Sequence, residues 1–310
     1  MHASNRNLHQ IINNVLEVRV SKPLRHTNEG FWDARTYDQV SRLVQYRWGK
    51  QLLEWRKWHG NEIVMDAGCG SGLLTKELAK KVPSGKVYAV DIDSNMIEQA
   101  RNNLQFFDNV EIIQSSFTDI KTPRKLDVIF SNSALHWAQD HRKVFQNFWK
   151  MLKRSINSTS SGDGDAAVSS QLLIQCGGHG NLQQIITILE RITHLDQFKK
   201  YFMDWKQPWY FAKPDDTSSL LKEIGYVNTT VYSSNDCIVL PDQQVYSKFV
   251  RTVVMKPYLE LLFSYNNDND TKLKTLFLNL FLDEVKKRSI RSKTLWSLDF
   301  VRLNIIAHGP

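Results

Sequence analysis

The chain has 310 residues, of which 42% are hydrophobic, so it is long enough to bury one large core. No apolar run approaches the roughly 20 residues that span a bilayer, and the first twenty residues lack the apolar stretch of a signal peptide. The three cysteines, Cys69, Cys176 and Cys237, match neither a metal-binding spacing nor a disulfide framework. We therefore expect a cytoplasmic protein with no membrane attachment and no metal site.

The formal net charge is +8, which fits a nucleic acid, an acidic protein or an anionic small molecule as partner. Lys and Arg are scattered along the chain, and the densest run, from Lys286 to Lys293, ends a predicted helix, where cations are favourable and stay solvated. No RNA-binding motif is visible. The sequence therefore favours a small anionic substrate over nucleic acid, and it leaves the oligomeric state open.

The first predicted unit is a helical segment over residues 1–60 that is rich in aromatic residues and Arg. A short buried strand, Ile63–Met65, then runs into Asp66, and glycines follow at positions 68, 70 and 72. This pattern predicts a strand, a tight turn and a helix, with backbone N–H groups that form a cradle for a ligand. Its G-x-G-x-G spacing differs from the G-x-G-x-x-G of dinucleotide sites. A tight turn without a ligand is the alternative.

A second predicted strand, Lys86–Val90, ends at Asp91, 19 positions after the last glycine of the turn. An acidic residue at this point of a βαβ unit accepts hydrogen bonds from ribose hydroxyls. Ile92 follows directly, and Met96 lies on the next predicted helix. Met96 either lies near an adenine ring or fills the core, and the pattern supports both equally.

A third and a fourth strand are predicted at Val110–Gln114 and Leu126–Phe130. Ser116 and Phe117 follow the third strand and are candidates for contacts with an adenine ring. Ser131 opens the stretch after the fourth strand, which ends in His136 and Trp137. Because ligands of parallel sheets bind outside the carboxyl ends of the strands, this stretch is expected beside the reacting group.

The second half predicts three more strands, at 172–176, 227–240 and 298–307, with helices between them. The whole chain thus predicts an α/β protein with a Rossmann-like sheet of seven strands, the last one antiparallel. Residues 61–310 form this domain. Helical insertions at about 177–206 and 242–292 are expected over the carboxyl ends, where they form a lid.

The stretches that carry a family resemblance are Trp32–Asp38 with Gln45, Asp66–Gly72 and Asn132–His141. On these stretches the chain resembles class I S-adenosylmethionine-dependent methyltransferases, of the type of trans-aconitate and juvenile hormone acid methyltransferases. The resemblance implies S-adenosylmethionine as cofactor. The chain departs from the family pattern at Ser116, a position where the family often has an Asp. The residues implied in cofactor binding are Asp66, Gly68, Cys69, Gly70, Gly72, Asp91, Ile92, Met96, Ser116, Phe117 and Ser131.

The resemblance further implies direct displacement at the sulfonium, with O-methylation of a carboxylate as the expected reaction. A carboxylate is ionised at pH 7 and needs no base, but it needs a cation, for which Arg251 is the candidate. The alternative for Arg251 is a surface or structural role. Three roles remain open for His136. It could hydrogen-bond the substrate, act as a base if the acceptor is a hydroxyl or an amine, or pack beside Trp137 in a structural role.

Two other functions fit the same scaffold. One is a methyltransferase of RNA or protein, and the other is a non-catalytic protein that uses the fold to bind a partner, because fold does not fix function. The intact glycine turn and the acids at 66 and 91 favour a working cofactor site.

Overall fold

The structure is a computed structural model that describes residues 44–154, 170–262, 268–289 and 296–309. Most of the predicted N-terminal segment, including Trp32–Asp38, lies outside the described residues. The helices are α1 Gln45–Leu53, α2 Leu73–Lys81, α3 Ser94–Leu104, α4 His141–Met151, α5 Gln183–Thr193, α6 Pro214–Ile224, α7 Gln243–Val253, α8 Lys256–Leu261 and α9 Asp268–Ser289. The strands are β1 Ile63–Ala67, β2 Lys86–Asp91, β3 Val110–Gln114, β4 Val128–Asn132, β5 Gln171–Gly177, β6 Val227–Val239 and β7 Ser297–His308.

The seven strands form one sheet in the order β3-β2-β1-β4-β5-β7-β6. Strands β1 to β5 are parallel, and β7 runs antiparallel between β5 and β6. β1, β4 and β5 are buried along their whole length, because helices cover both faces of the sheet centre. The structure confirms the predicted Rossmann-like α/β sheet with an antiparallel last strand.

The fourth strand begins two residues later than the sequence predicts, at Val128 rather than Leu126. Leu126 instead forms an isolated bridge with Leu152. Asp127 accepts a hydrogen bond from the Ile63 N–H at 2.8 Å, which fixes the entry to the strand beside β1. The strand also ends two residues later than predicted, at Asn132. The polar residues Ser131 and Asn132 therefore lie at the carboxyl edge of the sheet.

Helices occupy the described parts of both predicted insertions. α5 follows β5, and α7, α8 and α9 connect β6 to β7, so both insertions leave the sheet at the carboxyl edge of its parallel strands. They share one hydrophobic cluster that is separate from the clusters on the two faces of the sheet. Its largest buried aromatic residues include Phe198, Phe202, Tyr258, Phe277 and Phe281. These helices are called the lobe below.

Candidate active site

The turn after β1 holds three left-handed backbone conformations, with φ of +80° at Gly68, +53° at Gly70 and +85° at Gly72. Glycine adopts such angles without steric cost. A Cβ would lie 2.2 Å from Ala134 Cβ at the first position and 2.7 Å from the Leu104 side chain at the third. At the middle position, no atom of the described residues lies within 4 Å of such a Cβ. The outer glycines are therefore required by packing, whereas Gly70 leaves open space in front of the turn.

Two carboxylates lie at the ends of the neighbouring strands β1 and β2. Asp66 is buried and accepts a hydrogen bond from Thr75 Oγ1 at 2.6 Å, and burial raises its pKa to about 7. Asp91 accepts from the backbone N–H of Gly70 at 2.8 Å and of Asp93 at 3.0 Å, and burial raises its pKa as well. A carboxylate has about four acceptor positions. Asp91 therefore retains about two for a ligand.

A cavity of about 580 Å³ opens at this edge of the sheet, and we call it the first cavity. Its volume lies in the range of small-molecule sites. Among the described residues that line it, four are aspartates and none is Lys, Arg or His: Asp66, Asp91, Asp93 and Asp140. The cavity is therefore negative and suits a cationic ligand.

Nine of the eleven residues predicted to bind the cofactor line the first cavity: Asp66, Gly68, Cys69, Gly70, Asp91, Ile92, Met96, Ser116 and Phe117. The other two, Gly72 and Ser131, lie behind its wall. Gly72 is the N-cap residue of α2. Ser131 is buried in β4, where its Oγ donates to the Ala67 carbonyl at 2.7 Å. These two residues hold the turn and the strand rather than facing the cavity.

The end of the first cavity beyond Asp91 combines apolar and polar side chains. Met96 is buried in the core and also lines the cavity, so burial leaves it able to contact a ligand. Ile92 is 68% exposed, which is unusual for so large an apolar residue. The Ser116 hydroxyl donates to the Asp119 carboxylate. This end therefore offers apolar contact and a hydroxyl to a flat ring.

A second cavity of about 50 Å³ adjoins the first, and Gln45 and Ser133 line both. It lies at the carboxyl end of β5, between α1 and the lobe. Gln175, Gly177 and the last-strand residue Arg302 form part of its wall. Among the described residues that line it, Arg302 alone carries a full charge at pH 7, and none is Asp or Glu.

His136 lines the second cavity rather than the first. Its Nδ1 accepts a hydrogen bond from the Gly177 N–H at 3.2 Å, which leaves the proton on Nε2. Burial, with a smaller effect of the neighbouring His141, lowers the pKa of His136 to about 3. The ring is therefore neutral at pH 7, and the nitrogen that can take a proton is already occupied.

Arg251, the candidate cation in the sequence, lies on α7 with its side chain exposed and lines neither cavity, which agrees with the alternative of a surface role. The adjacent Phe249 and Val250 are buried in the lobe, so the helix turns residue 251 toward solvent. The sequence analysis gave no role to Arg302. The available signal was a charged residue in the middle of a predicted strand, but only the β5–β7 pairing places it at the site.

The described residues contain neither a metal-binding cluster nor a helix that could span a membrane. Within residues 44–154, 170–262, 268–289 and 296–309, no three His, Cys, Asp or Glu side chains are grouped to hold a metal ion. None of the helices in these same ranges has the length and hydropathy needed to cross a membrane.

The fold, the family match and the relatives together support a class I S-adenosylmethionine-dependent methyltransferase. Its sheet order with an antiparallel β7, the glycine turn after β1 and the acid that ends β2 together define this class. Residues 59–201 match the family model described as a methyltransferase domain.

Individual relatives are similar at low identity. A protein described as an uncharacterized methyltransferase of Schizosaccharomyces pombe is 23% identical over 90% of this chain and 98% of its own length. A trans-aconitate 2-methyltransferase of Deinococcus radiodurans is 26% identical over 64% of this chain and 71% of its own length. A malonyl-[acyl-carrier protein] O-methyltransferase of Priestia megaterium is 32% identical, and the match covers 47% of this chain and 53% of that enzyme.

Solved structures show the same fold. The YcgJ protein of Bacillus subtilis matches with a TM-score of 0.54 at 14% identity, over 85% of this chain and 98% of that one. The phosphoethanolamine N-methyltransferase 2 of Haemonchus contortus, in complex with S-adenosyl-L-methionine, matches with a TM-score of 0.53 at 15% identity, over 93% of this chain and 62% of that one.

Proposed function

We propose that this enzyme transfers the methyl group of S-adenosylmethionine to a carboxylate oxygen of a small anionic molecule. The observation that carries the proposal is the contrast between the two adjoining cavities. Among the described lining residues, the first has four aspartates and no cation, and the second has one arginine and no acid. The trans-aconitate and malonyl relatives, which methylate carboxylic acids or their carrier-bound forms by name, support the same acceptor class.

The first cavity matches the charges of S-adenosylmethionine, which carries a sulfonium and an ammonium group. In this proposal the two free acceptor positions of Asp91 take the ribose hydroxyls, and Gly70 leaves room for the ligand in front of the turn. Asp66 faces the ammonium group, whose charge lowers the raised pKa of this carboxyl and keeps it ionised. The adenine lies between Ile92 and Met96.

The second cavity favours an acceptor that arrives already ionised. A hydroxyl or ammonium acceptor must lose a proton during transfer, and a base must take it. His136 has a pKa lowered to about 3, and its Nδ1 is occupied by the Gly177 N–H. No acid lines this cavity among the described residues. A carboxylate is ionised at pH 7 and needs no such base.

In this proposal the protein promotes methyl transfer mainly by aligning the reacting atoms. The sulfonium is a strong electrophile, so the protein mainly holds the acceptor oxygen in line with the methyl carbon and the sulfur. Gln45 and Ser133, which line both cavities, mark where the two ligands meet. Removal of water from the carboxylate raises its reactivity.

The lobe provides that dry environment in our proposal and acts as a lid. The segment after α5 already packs on the site, since the Trp209 ring lies 5.7 Å from Trp137 and the Phe211 ring lies 5.7 Å from His136. Gln139 donates to the carbonyl of Pro208 at 2.8 Å on the same side. Closure predicts that amides in the insertions 177–206 and 242–292 gain protection from hydrogen exchange when cofactor and acceptor bind together.

We further propose a cytoplasmic enzyme. All three cysteines of the chain are unpaired, and Cys237 is exposed. Free thiols of this kind persist in reducing compartments.

The test is a methyl-transfer screen with the full chain and methyl-labelled S-adenosylmethionine. The acceptors are offered as matched trios with one carbon skeleton, such as hexanoate, hexanol and hexylamine, together with an RNA pool and a protein mixture. Mild base releases labelled methanol from methyl esters, whereas ethers and methylamines keep the label. We expect base-labile label on small carboxylates. Base-stable label on the hydroxyl or amine members, or label confined to RNA or protein, contradicts the proposal.

A further inference from the structure

We propose that Arg302 on β7 binds the carboxylate of the acceptor in the second cavity and so determines the specificity of the enzyme for acids. This inference rests on the proposed function, because it names the residue that recognises the proposed acceptor. Arg302 pairs in register with Gly177 of β5 and with Ser234 of β6, which places it at the carboxyl edge of the sheet. Its side chain is only 15% exposed.

The guanidinium of Arg302 is held in one orientation. Its Nη1 donates to Gln175 Oε1 at 3.0 Å, and its centre lies 4.5 Å from the ring of Trp48 on α1. Gln175 is fixed in turn, because its Nε2 donates to Asn304 Oδ1 at 2.6 Å. A planar guanidinium fixed in this way is suited to bidentate binding of a carboxylate.

The hydrogen-bonding capacity of the guanidinium is incompletely used. Arginine offers five N–H donors, and Nε of Arg302 is buried without a partner among the described residues. Asp236 Oδ2 lies 3.7 Å from Nη2, which is longer than a hydrogen bond. The same oxygen accepts from Trp48 Nε1 at 2.7 Å and lies 3.5 Å from Arg47 Nη2. One carboxylate is thus shared between two cations, and the cluster keeps a net positive charge.

The cavity in front of Arg302 has the size of the group proposed for it. Its volume of about 50 Å³ is several times the roughly 10–15 Å³ that a cavity needs to hold one water, so it has room for a carboxylate. The reacting oxygen then faces the junction at Gln45 and Ser133, where the two cavities meet. A Cβ at Gly177 would lie 2.6 Å from Phe211 and 2.8 Å from Asn181, so the close packing of this wall requires glycine.

A purely structural role for Arg302 makes a different prediction. In that case Arg302 only links β7 to β6 and α1 through Asp236 and Trp48, and loss of either partner of the ion pair lowers stability without a specific effect on the acceptor. If Arg302 binds the acceptor, Asp236 competes with it. Removing the charge of Asp236 then strengthens acceptor binding, whereas a structural role predicts no gain.

The experiment measures kcat and KM for the carboxylate that the screen identifies, in the wild type, Arg302→Met, Arg302→Lys and Asp236→Asn. Arg101→Met, on an exposed part of α3, is the control for loss of one positive charge. S-adenosylhomocysteine affinity and the melting temperature report on the fold. We expect a KM raised about tenfold to a hundredfold in Arg302→Met, an intermediate rise in Arg302→Lys and a lowered KM in Asp236→Asn, with kcat changed less.

A KM within twofold of wild type in Arg302→Met overturns the inference while the proposed function stands. If Arg302→Met does not fold, the Lys and Asn variants decide, and a raised KM in Asp236→Asn overturns the inference as well. If the wild type methylates hydroxyls or amines and no carboxylate, the proposed function fails and this inference fails with it.

Discussion

Replacing Asp91 by alanine isolates the anchoring of the cofactor ribose. The Asp91 carboxylate accepts two backbone N–H groups of the protein, from Gly70 and Asp93, and has about two acceptor positions left for the ribose hydroxyls. A hydrogen bond to a charged group contributes about 1.5–3 kcal/mol. Since about 1.4 kcal/mol is tenfold in affinity, we expect Asp91→Ala to weaken S-adenosylmethionine binding by about tenfold to a hundredfold.

The assay is titration calorimetry with S-adenosylmethionine and S-adenosylhomocysteine on the full chain. Glu98→Ala is the matched control, since this exposed residue on α3 removes one negative charge without lining either cavity. Thermal melting separates loss of the site from loss of the fold, because Asp91 also holds the turn at Gly70. An affinity of folded Asp91→Ala within threefold of the control refutes the assignment of Asp91 to the ribose.

Three further predictions concern the turn and the titratable groups. Gly70→Val should abolish cofactor binding in calorimetry, because the valine side chain enters the open cavity. Gly180→Val, which is also at positive φ but lies outside both cavities, should still bind the cofactor. Equal loss of binding in both variants would contradict this prediction. With a pKa of about 3, His136 should add no inflection to the pH profile of kcat/KM between pH 6 and 8, and an inflection that His136→Asn removes would contradict that. Asp66, with a folded pKa of about 7 against about 3.9 unfolded, holds its proton longer in the folded state. Wild-type stability in urea titrations should therefore fall relative to Asp66→Asn by about 3 kcal/mol from pH 4 to 7, and a rise would contradict the assigned shift.

The sequence locates most of the residues that line the first cavity, because its signals are local. The apolar run into Asp66, the glycine spacing and the acid at the end of the second strand all fall within about thirty residues. Buried parallel strands leave continuous apolar runs, so β1, β2 and β5 can be located within one or two residues. β4 shifts because Leu126 pairs with Leu152, a contact across more than twenty residues.

The acceptor half depends on contacts between distant parts of the chain. Arg251 is the candidate cation in the sequence and Arg302 is not, although both lie in the C-terminal third. Only the antiparallel pairing of β7 with β5 brings Arg302 opposite Gly177, while the amphipathic α7 turns Arg251 to solvent. The neutral state of His136 likewise follows from burial and from the Gly177 N–H, neither of which a sequence pattern reveals.

The most direct test of the account is a crystal structure of the full chain with S-adenosylhomocysteine and a carboxylate that the enzyme methylates. The account predicts the ribose hydroxyls on Asp91, and the sulfur facing Gln45 and Ser133. It also predicts the acceptor carboxylate in the second cavity within hydrogen-bond distance of Arg302. A cofactor outside the first cavity, or an acceptor bound with its carboxylate away from the second, would contradict it.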